Sequence, residues 1–267
     1  RRRHTRYGTV TGVQTCALPI YMRKRPSVEE NLPVTLVVDR VVASYFQTNC
    51  WIIASERGGE CIVVDPGIEL PHMVKSLSTK LQELNLSLGA IMITHGHLDH
   101  TFSLFPLSEK FADSISYVHA EDRDLLRQPE RALSAQSMSM FNEMRTKFPE
   151  TRIDEPEKTF SLHGGERLHL GGLDVEVVHT PGHTPGSISM TINDELFVSG
   201  DTLFAGSIGR TDLPRGSISD MEESLREKIA VLPEHLGVLP GHGEQTRMER
   251  ELKANPFLKQ AIERRLA

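Results

Sequence analysis

Apolar residues fall mostly in short runs separated by turn residues. Val34 to Ala43, Asn49 to Ala54 and Cys61 to Val64 are apolar or β-branched, with Glu56-Arg57-Gly58-Gly59 among the residues between them. Runs of that length and bounding predict strands. A helix is predicted from about Leu70 to Leu84, leading into a buried strand at Ala90-Ile91-Met92-Ile93. Another helix is predicted from Thr101 to about Ala112, then a strand over Ile115 to His119. Glu121 to Arg127 and Leu133 to Lys147 read as helical, and the second carries Met138, Met140, Phe141 and Met144. Apolar residues at near-helical spacing favour a packing face over a lid or an acyl pocket. Strands return at Arg167 to Leu170 and Leu173 to Val178, around Gly171-Gly172, and at Ser187 to Ile192 and Leu196 to Val198, around Asn193-Asp194. Both pairs carry hairpin signals. A helix near Ser219 to Leu232, a strand at Leu236 to Leu239 and a helical tail complete the pattern.

The first residues break this pattern and change the charge. Val10 to Ile20 resembles the in-frame translation of a DNA-sequencing adapter, so residues 1–21 are read as a non-native leader and set aside. The competing reading is a basic targeting peptide, but the stretch lacks an apolar core of signal-peptide length. The whole chain carries a net charge of −6, yet all seven Lys and Arg of Arg1 to Arg25 lie opposite no Asp or Glu. Without them the remainder stands near −13, which gives no overall attraction to nucleic acid or to an anionic membrane. No run approaches the ~20 apolar residues of a membrane span. What remains suits one α/β domain, taken as residues 30–267, since no Gly/Ser- or Pro-rich linker divides it. Cys50 and Cys61 lie in strand-like runs and are expected to be buried free thiols of a cytoplasmic protein.

Candidate chemistry gathers where strands end. Thr94-His95-Gly96-His97-Leu98-Asp99-His100 follows an apolar strand, and in extended backbone His95 and His97 point to one side. Asp99 and His100 are placed in the turn before a helix. Three imidazoles and a carboxylate are the mixed N/O donor set that suits zinc and its neighbours. The pattern repeats: Val175 to Val178 runs into His179-Thr180-Pro181-Gly182-His183, Leu196 to Val198 into Asp201, Gly237 to Leu239 into His242, and Cys61 to Val64 into Asp65. A lone His183 or His242 would be an ordinary loop histidine. Together, five histidines and two aspartates can form two metal sites, with Asp201 able to bridge them.

This succession resembles the metallo-β-lactamase superfamily from Val34 onward. The resemblance implies a four-layer αβ/βα sandwich with two divalent ions, zinc foremost and iron or manganese as alternatives. It implies His95, His97 and His183 on one ion, Asp99, His100 and His242 on the other, Asp201 on both, and Asp65 orienting the site from behind. Asp99 and Asp201 would be the catalytic carboxylates, with Asp99 orienting a bridging hydroxide. Gly200 to Phe204, Ile208 to Pro214 and Leu239 to Gly243 are similar to short bacterial glyoxalase II-like proteins, which implies hydrolysis of small S-2-hydroxyacyl thioesters. Departures are Thr101-Phe102-Ser103 in place of a Gly-Gly, and Asp212 and Glu244 where those enzymes carry glutathione-binding tyrosines. Arg210 could meet a substrate carboxylate, although a loop-tying pair with Asp212 is the favoured reading. Rival expectations are an iron persulfide dioxygenase of the same fold, a lactonase or β-lactamase, and a metal-binding protein without activity. The last would sooner have lost a ligand.

Overall fold

The computed structural model describes residues 36–267, so the expected leader lies outside the described residues. Residues 36–267 belong to one compact unit. Its first sheet follows chain order: β1 (Val37–Val42), β2 (Asn49–Ala54), β3 (Glu60–Val64), β4 (Ser87–Met92), β5 (Ile115–His119) and β6 (Thr159–Leu162). The β1–β3 pairs are antiparallel and β3 through β6 are parallel. The second sheet takes β7 (Arg167–Leu170), β8 (Leu173–His179), β9 (Ile188–Ile192), β10 (Leu196–Gly200), β13 (Gly237–Pro240) and β14 (Thr246–Arg247) in the order 14-13-10-9-8-7. A two-stranded ribbon of β11 (Leu203–Phe204) and β12 (Ser207–Ile208) lies between β10 and β13 in the chain.

Strand periodicity makes the layers. Trp51, Ile53, Ile62, Val64, Ala90 and Met92 pack against Val175, Val177, Ile188, Met190, Ile192 and Val198 of the other sheet. The alternate residues Cys50, Ile52, Cys61, Val63 and Ile91 face outward onto α1 (Val74–Leu84) and α3 (Leu104–Lys110). On the far side, Phe197 and Val238 meet α5 (Ile218–Ser224), α6 (Met248–Ala254) and α7 (Pro256–Ile262). Successive residues of a strand point to opposite faces, so a strand covered on both sides reads as one apolar run. The result is the expected four-layer sandwich. Among the described residues no helix is long and apolar enough to cross a membrane. Cys50 and Cys61 are buried and free.

Several local expectations change. The helix expected from Leu70 starts at Val74, because Pro71 disfavours helical geometry in the residue before it and the Met73 N–H donates to Ser103 Oγ at 2.9 Å. The helix expected after the histidine motif is two pieces, α2 (Leu98–Thr101) and α3, broken at Phe102-Ser103. Ser103 N–H donates to the Pro66 carbonyl and its hydroxyl to that of Gly67, which draws the chain out of a single helix. Asp99 and His100 therefore lie inside the first turn of α2 instead of ahead of it. Glu121 to Arg127 is a 3-10 turn over Ala120–Leu126, and Leu133 to Lys147 is α4 (Ala135–Lys147), capped by Ser134. The helix expected over Ser219 to Leu232 passes from α5 into a π turn at Leu225–Ile229.

Candidate metal centre

β3, β4, β8, β10 and β13 all end at the same rim, as they run in common directions within their sheets. Side chains just past such strand ends meet outside the sheet. Here they bring together Asp65, His95, His97, Asp99, His100, His183, Asp201 and His242.

The histidine nitrogens converge in two groups. His97 Nδ1 stands 3.1 Å from His95 Nε2 and 2.9 Å from His183 Nε2. His100 Nε2 stands 3.1 Å from His242 Nε2, and Asp99 Oδ2 lies 3.6 and 3.4 Å from those two atoms. Asp201 Oδ2 is 3.5 Å from both His183 Nε2 and His242 Nε2, so a single oxygen reaches both groups. Asp201 Oδ1 lies 3.6 Å from His100 Nε2 and, though buried, has no hydrogen-bond partner.

The far ring nitrogens explain why these atoms face one another. His183 Nδ1 donates to the Arg210 carbonyl at 2.7 Å and His242 Nδ1 to the Phe46 carbonyl at 3.0 Å. His100 Nδ1 donates to Asp65 Oδ2 at 2.9 Å. Thr94 Oγ1 gives its own proton to Asp65 Oδ2 at 2.6 Å, leaving a lone pair for His95 Nδ1–H at 3.1 Å. Each acceptor takes the far proton of its ring, so in the neutral rings four Nε2 lone pairs point inward. Bare lone pairs at this spacing repel unless they share a cation. Donors 2.0–2.1 Å from a tetrahedral ion stand about 3.3 Å apart, close to the spacing here. The residues fit a pair of divalent ions: His95, His97 and His183 could hold one, and Asp99, His100 and His242 the other, with Asp201 between.

Electrostatics agree with that fit. Burial, then His183, pushes His97 down to about 3. Burial alone would raise Asp99, but His100 and a hydrogen bond from His242 together draw it down to about 2. Burial opposes a proton on His100, yet Asp201, Asp99 and Asp65 outweigh it and raise that imidazole. The carboxylates thus call for positive charge at this spot, and a dication competes with the proton for it. A further group, His119, Glu121 and His179, is close enough to be compared. Its two rings stack at 4.1 Å and 15°, so their lone pairs lie in parallel planes and do not aim at one ion.

The metallo-beta-lactamase superfamily profile matches residues 43–242. The chain belongs to this superfamily. A Bacillus subtilis relative named a probable metallo-hydrolase is 34% identical over 220 residues, 82% of this chain and 96% of that one. A Haemophilus influenzae protein named hydroxyacylglutathione hydrolase GloC is 33% identical over 223 residues, 83% of this chain and 97% of that one. The structure of BLEG-1 B3 metallo-beta-lactamase is 31% identical with a TM-score of 0.69, covering 83% of this chain and 99% of its own. TTHA1623, solved in a di-iron-bound form, is 30% identical with a TM-score of 0.65, covering 82% and 100%.

The centre opens into a cavity of about 690 Å³. Ile68, Leu98, Leu133 and Met140 form one wall, and Phe204, Ile208 and Leu213 another, with Ser134, Gln136 and Ser137 also lining it. The Met-rich helix α4 serves two purposes. Phe141 and Met144 are buried against Ile68, Leu98 and Phe102, while Met140 reaches the cavity. Arg210 lies at the cavity, but its guanidinium is taken by Asp212, at 2.7 and 2.8 Å. Sequence reasoning missed the groups that hold the imidazoles: the Thr94 hydroxyl and the carbonyls of Phe46 and Arg210. It also missed Asp122, a buried carboxylate between two ligand loops. A backbone carbonyl has no residue signature, and Asp122 lies in a segment with little pattern.

Proposed function

We propose that the protein hydrolyses small S-2-hydroxyacyl thioesters. The observation that carries the reading is the complete donor set with Asp201 Oδ2 at 3.5 Å from a histidine of each group, opening into a mostly apolar cavity. His95, His97 and His183 would hold one ion and Asp99, His100 and His242 the second. A pair of divalent ions supplies a water acidified to near-neutral pKa and a polarised acyl carbonyl. Zinc and iron both suit the donors, and a similar protein, TTHA1623, is described with two irons. Asp99 lines the cavity and offers an acceptor to orient the attacking water. Asp65 and Thr94 keep His100 and His95 aimed while charge shifts at the centre. The leaving thiol has a pKa near 8.5, so its thiolate departs without a dedicated acid.

The cavity walls receive the acyl chain by apolar contact, which discriminates chain length only modestly. Among the described lining residues the sole Lys or Arg is Arg210, already paired with Asp212, so a glutathione carboxylate finds no unpaired cation there. Weak discrimination among low-molecular-weight thiol carriers follows. The substrate is a small molecule, with no nucleic acid or membrane partner, and the unpaired thiols Cys50 and Cys61 suit a reducing cytoplasm.

The test compares free-thiol release from an S-2-hydroxyacyl thioester under nitrogen with oxygen uptake on glutathione persulfide. Anaerobic release, with about two metal ions per chain, supports the hydrolase. Oxygen uptake without it, with one iron per chain, transfers the protein to the persulfide dioxygenases.

A further inference from the structure

Asp122 is fully buried on the 3-10 turn Ala120–Leu126 and is not one of the converging donors. Its carboxylate nevertheless touches both loops that carry the first histidine group. Asp122 Oδ2 accepts the Gly96 N–H at 2.8 Å, the peptide between His95 and His97. The same oxygen accepts Thr184 Oγ1 at 2.6 Å, on the residue after His183. Asp122 Oδ1 accepts the Gly186 N–H at 3.0 Å. The two loops come from different sheets and are 86 residues apart between His97 and His183.

Packing repeats the message independently of the hydrogen bonds. A Cβ on Gly186 would meet Asp122 Cγ at 2.6 Å, and a Cβ on Gly96 would meet Leu125 Cδ1 at 2.6 Å. Both loops therefore sit on this turn at a distance only glycine permits. A third segment is pinned to the same place. Arg215 Nη2 lies 3.8 Å from Asp122 Oδ1 and also donates to the Glu121 carbonyl, while its Nη1 donates to Asp124 Oδ1 at 3.2 Å. Arg215 belongs to the stretch whose Arg210 carbonyl holds His183 Nδ1.

We infer that Asp122 is a positioning residue for the His95/His97/His183 ion: it fixes the separation of the two loops that must meet on one cation. The inference rests on the two-ion reading of the site but not on the thioesterase assignment. Asn in its place keeps the volume yet turns one acceptor oxygen into a donor, facing either the Gly96 or the Gly186 N–H. Ligand loops released in this way drift, and ion affinity is sensitive to such drift.

The experiment titrates the metal-free full-length chain with zinc against a competing chelator, and records apo-protein unfolding for each variant. For Asp122→Asn, one of the two zinc dissociation constants is expected to rise by about tenfold or more, the other by much less, with apo unfolding little moved. Thr184→Val, which removes one of the three hydrogen bonds, should shift the same constant in the same direction by less. Arg123→Gln, on the same turn but bound to Glu155, Ser161 and the Thr159 carbonyl on the side away from both loops, should leave both constants unchanged. Unchanged constants in Asp122→Asn and Thr184→Val overturn the assignment, as does an equal loss in Arg123→Gln, which would make it a matter of turn stability. If Asp122→Asn does not fold, Thr184→Val decides. A wild-type chain that binds no zinc instead fails the metal reading itself.

Discussion

Asp65 and His100, 35 residues apart, form a buried pair in which Asp65 Oδ2 accepts His100 Nδ1–H at 2.9 Å. The same carboxylate also takes the N–H and the hydroxyl of Thr94, at 2.8 and 2.6 Å. It thereby aims one imidazole of each histidine group, His100 directly and His95 through Thr94 Oγ1. Asp65→Asn should lower metal affinity about 10–100-fold, as loss of such a partner commonly does. Asp65→Ala should in addition destabilise the apo-protein by roughly 1–3 kcal/mol for each buried Thr94 donor left unpaired. Chelator competition and denaturant unfolding separate the two effects. Wild-type metal affinity in Asp65→Asn would remove the orienting role.

Asp201→Ala should cost more than His242→Ala. Asp201 Oδ2 reaches both groups, whereas His242 Nε2 serves only the group with Asp99 and His100. The expected outcome is turnover at least about tenfold lower in Asp201→Ala, with metal content reduced at both positions. In His242→Ala one ion should remain. Equal metal content and equal turnover in the two variants would sink the bridging assignment.

The centre was legible because chemistry here follows strand ends. Each apolar run, such as Ala90 to Ile93 or Leu196 to Val198, announces its strand, and the next His or Asp announces the rim. Elements made by tertiary contact left no such trace. β6, Thr159-Phe160-Ser161-Leu162, is short and half polar, and it exists because it extends β5 in parallel. The break between α2 and α3 is set by Pro66 and Gly67 carbonyls more than thirty residues away in the chain. Asp122 looks like any acidic residue of a surface turn until the Gly96 and Gly186 loops close over it. Periodicity reports which face is buried, but it does not report which distant backbone group arrives there.

The thiols of Cys50 and Cys61 should be silent in the native protein. Burial, then Glu60, pushes Cys61 up to about 12, and burial, then Asp65, raises Cys50 well above its ordinary value. Only the thiolate attacks a disulfide reagent, so Cys61 has roughly a thousandth of a free cysteine's reactive fraction near pH 8. In a Cys16→Ser chain, Ellman's reagent should find neither of these thiols before unfolding and both in denaturant. Fast labelling in the folded state would contradict the burial of β2 and β3.

Helix α4 offers the sharpest separation of stability from specificity. Phe141 is buried against Ile68, Leu98 and Phe102, so Phe141→Ala should cost about 3–5 kcal/mol. For a unit of this size that lowers Tm by roughly 10 °C. Met140, one residue earlier, is only half-buried and faces the cavity, so Met140→Ala should cost roughly 1 kcal/mol. Its effect should appear in substrate choice instead. KM for thioesters with long or aromatic acyl groups should rise severalfold, while short 2-hydroxyacyl substrates change little, because only a long chain reaches that wall. Melting curves and a chain-length series of thioesters measure both. A large Tm loss in Met140→Ala with an unaltered chain-length profile would return all of α4 to packing and take it out of the substrate site.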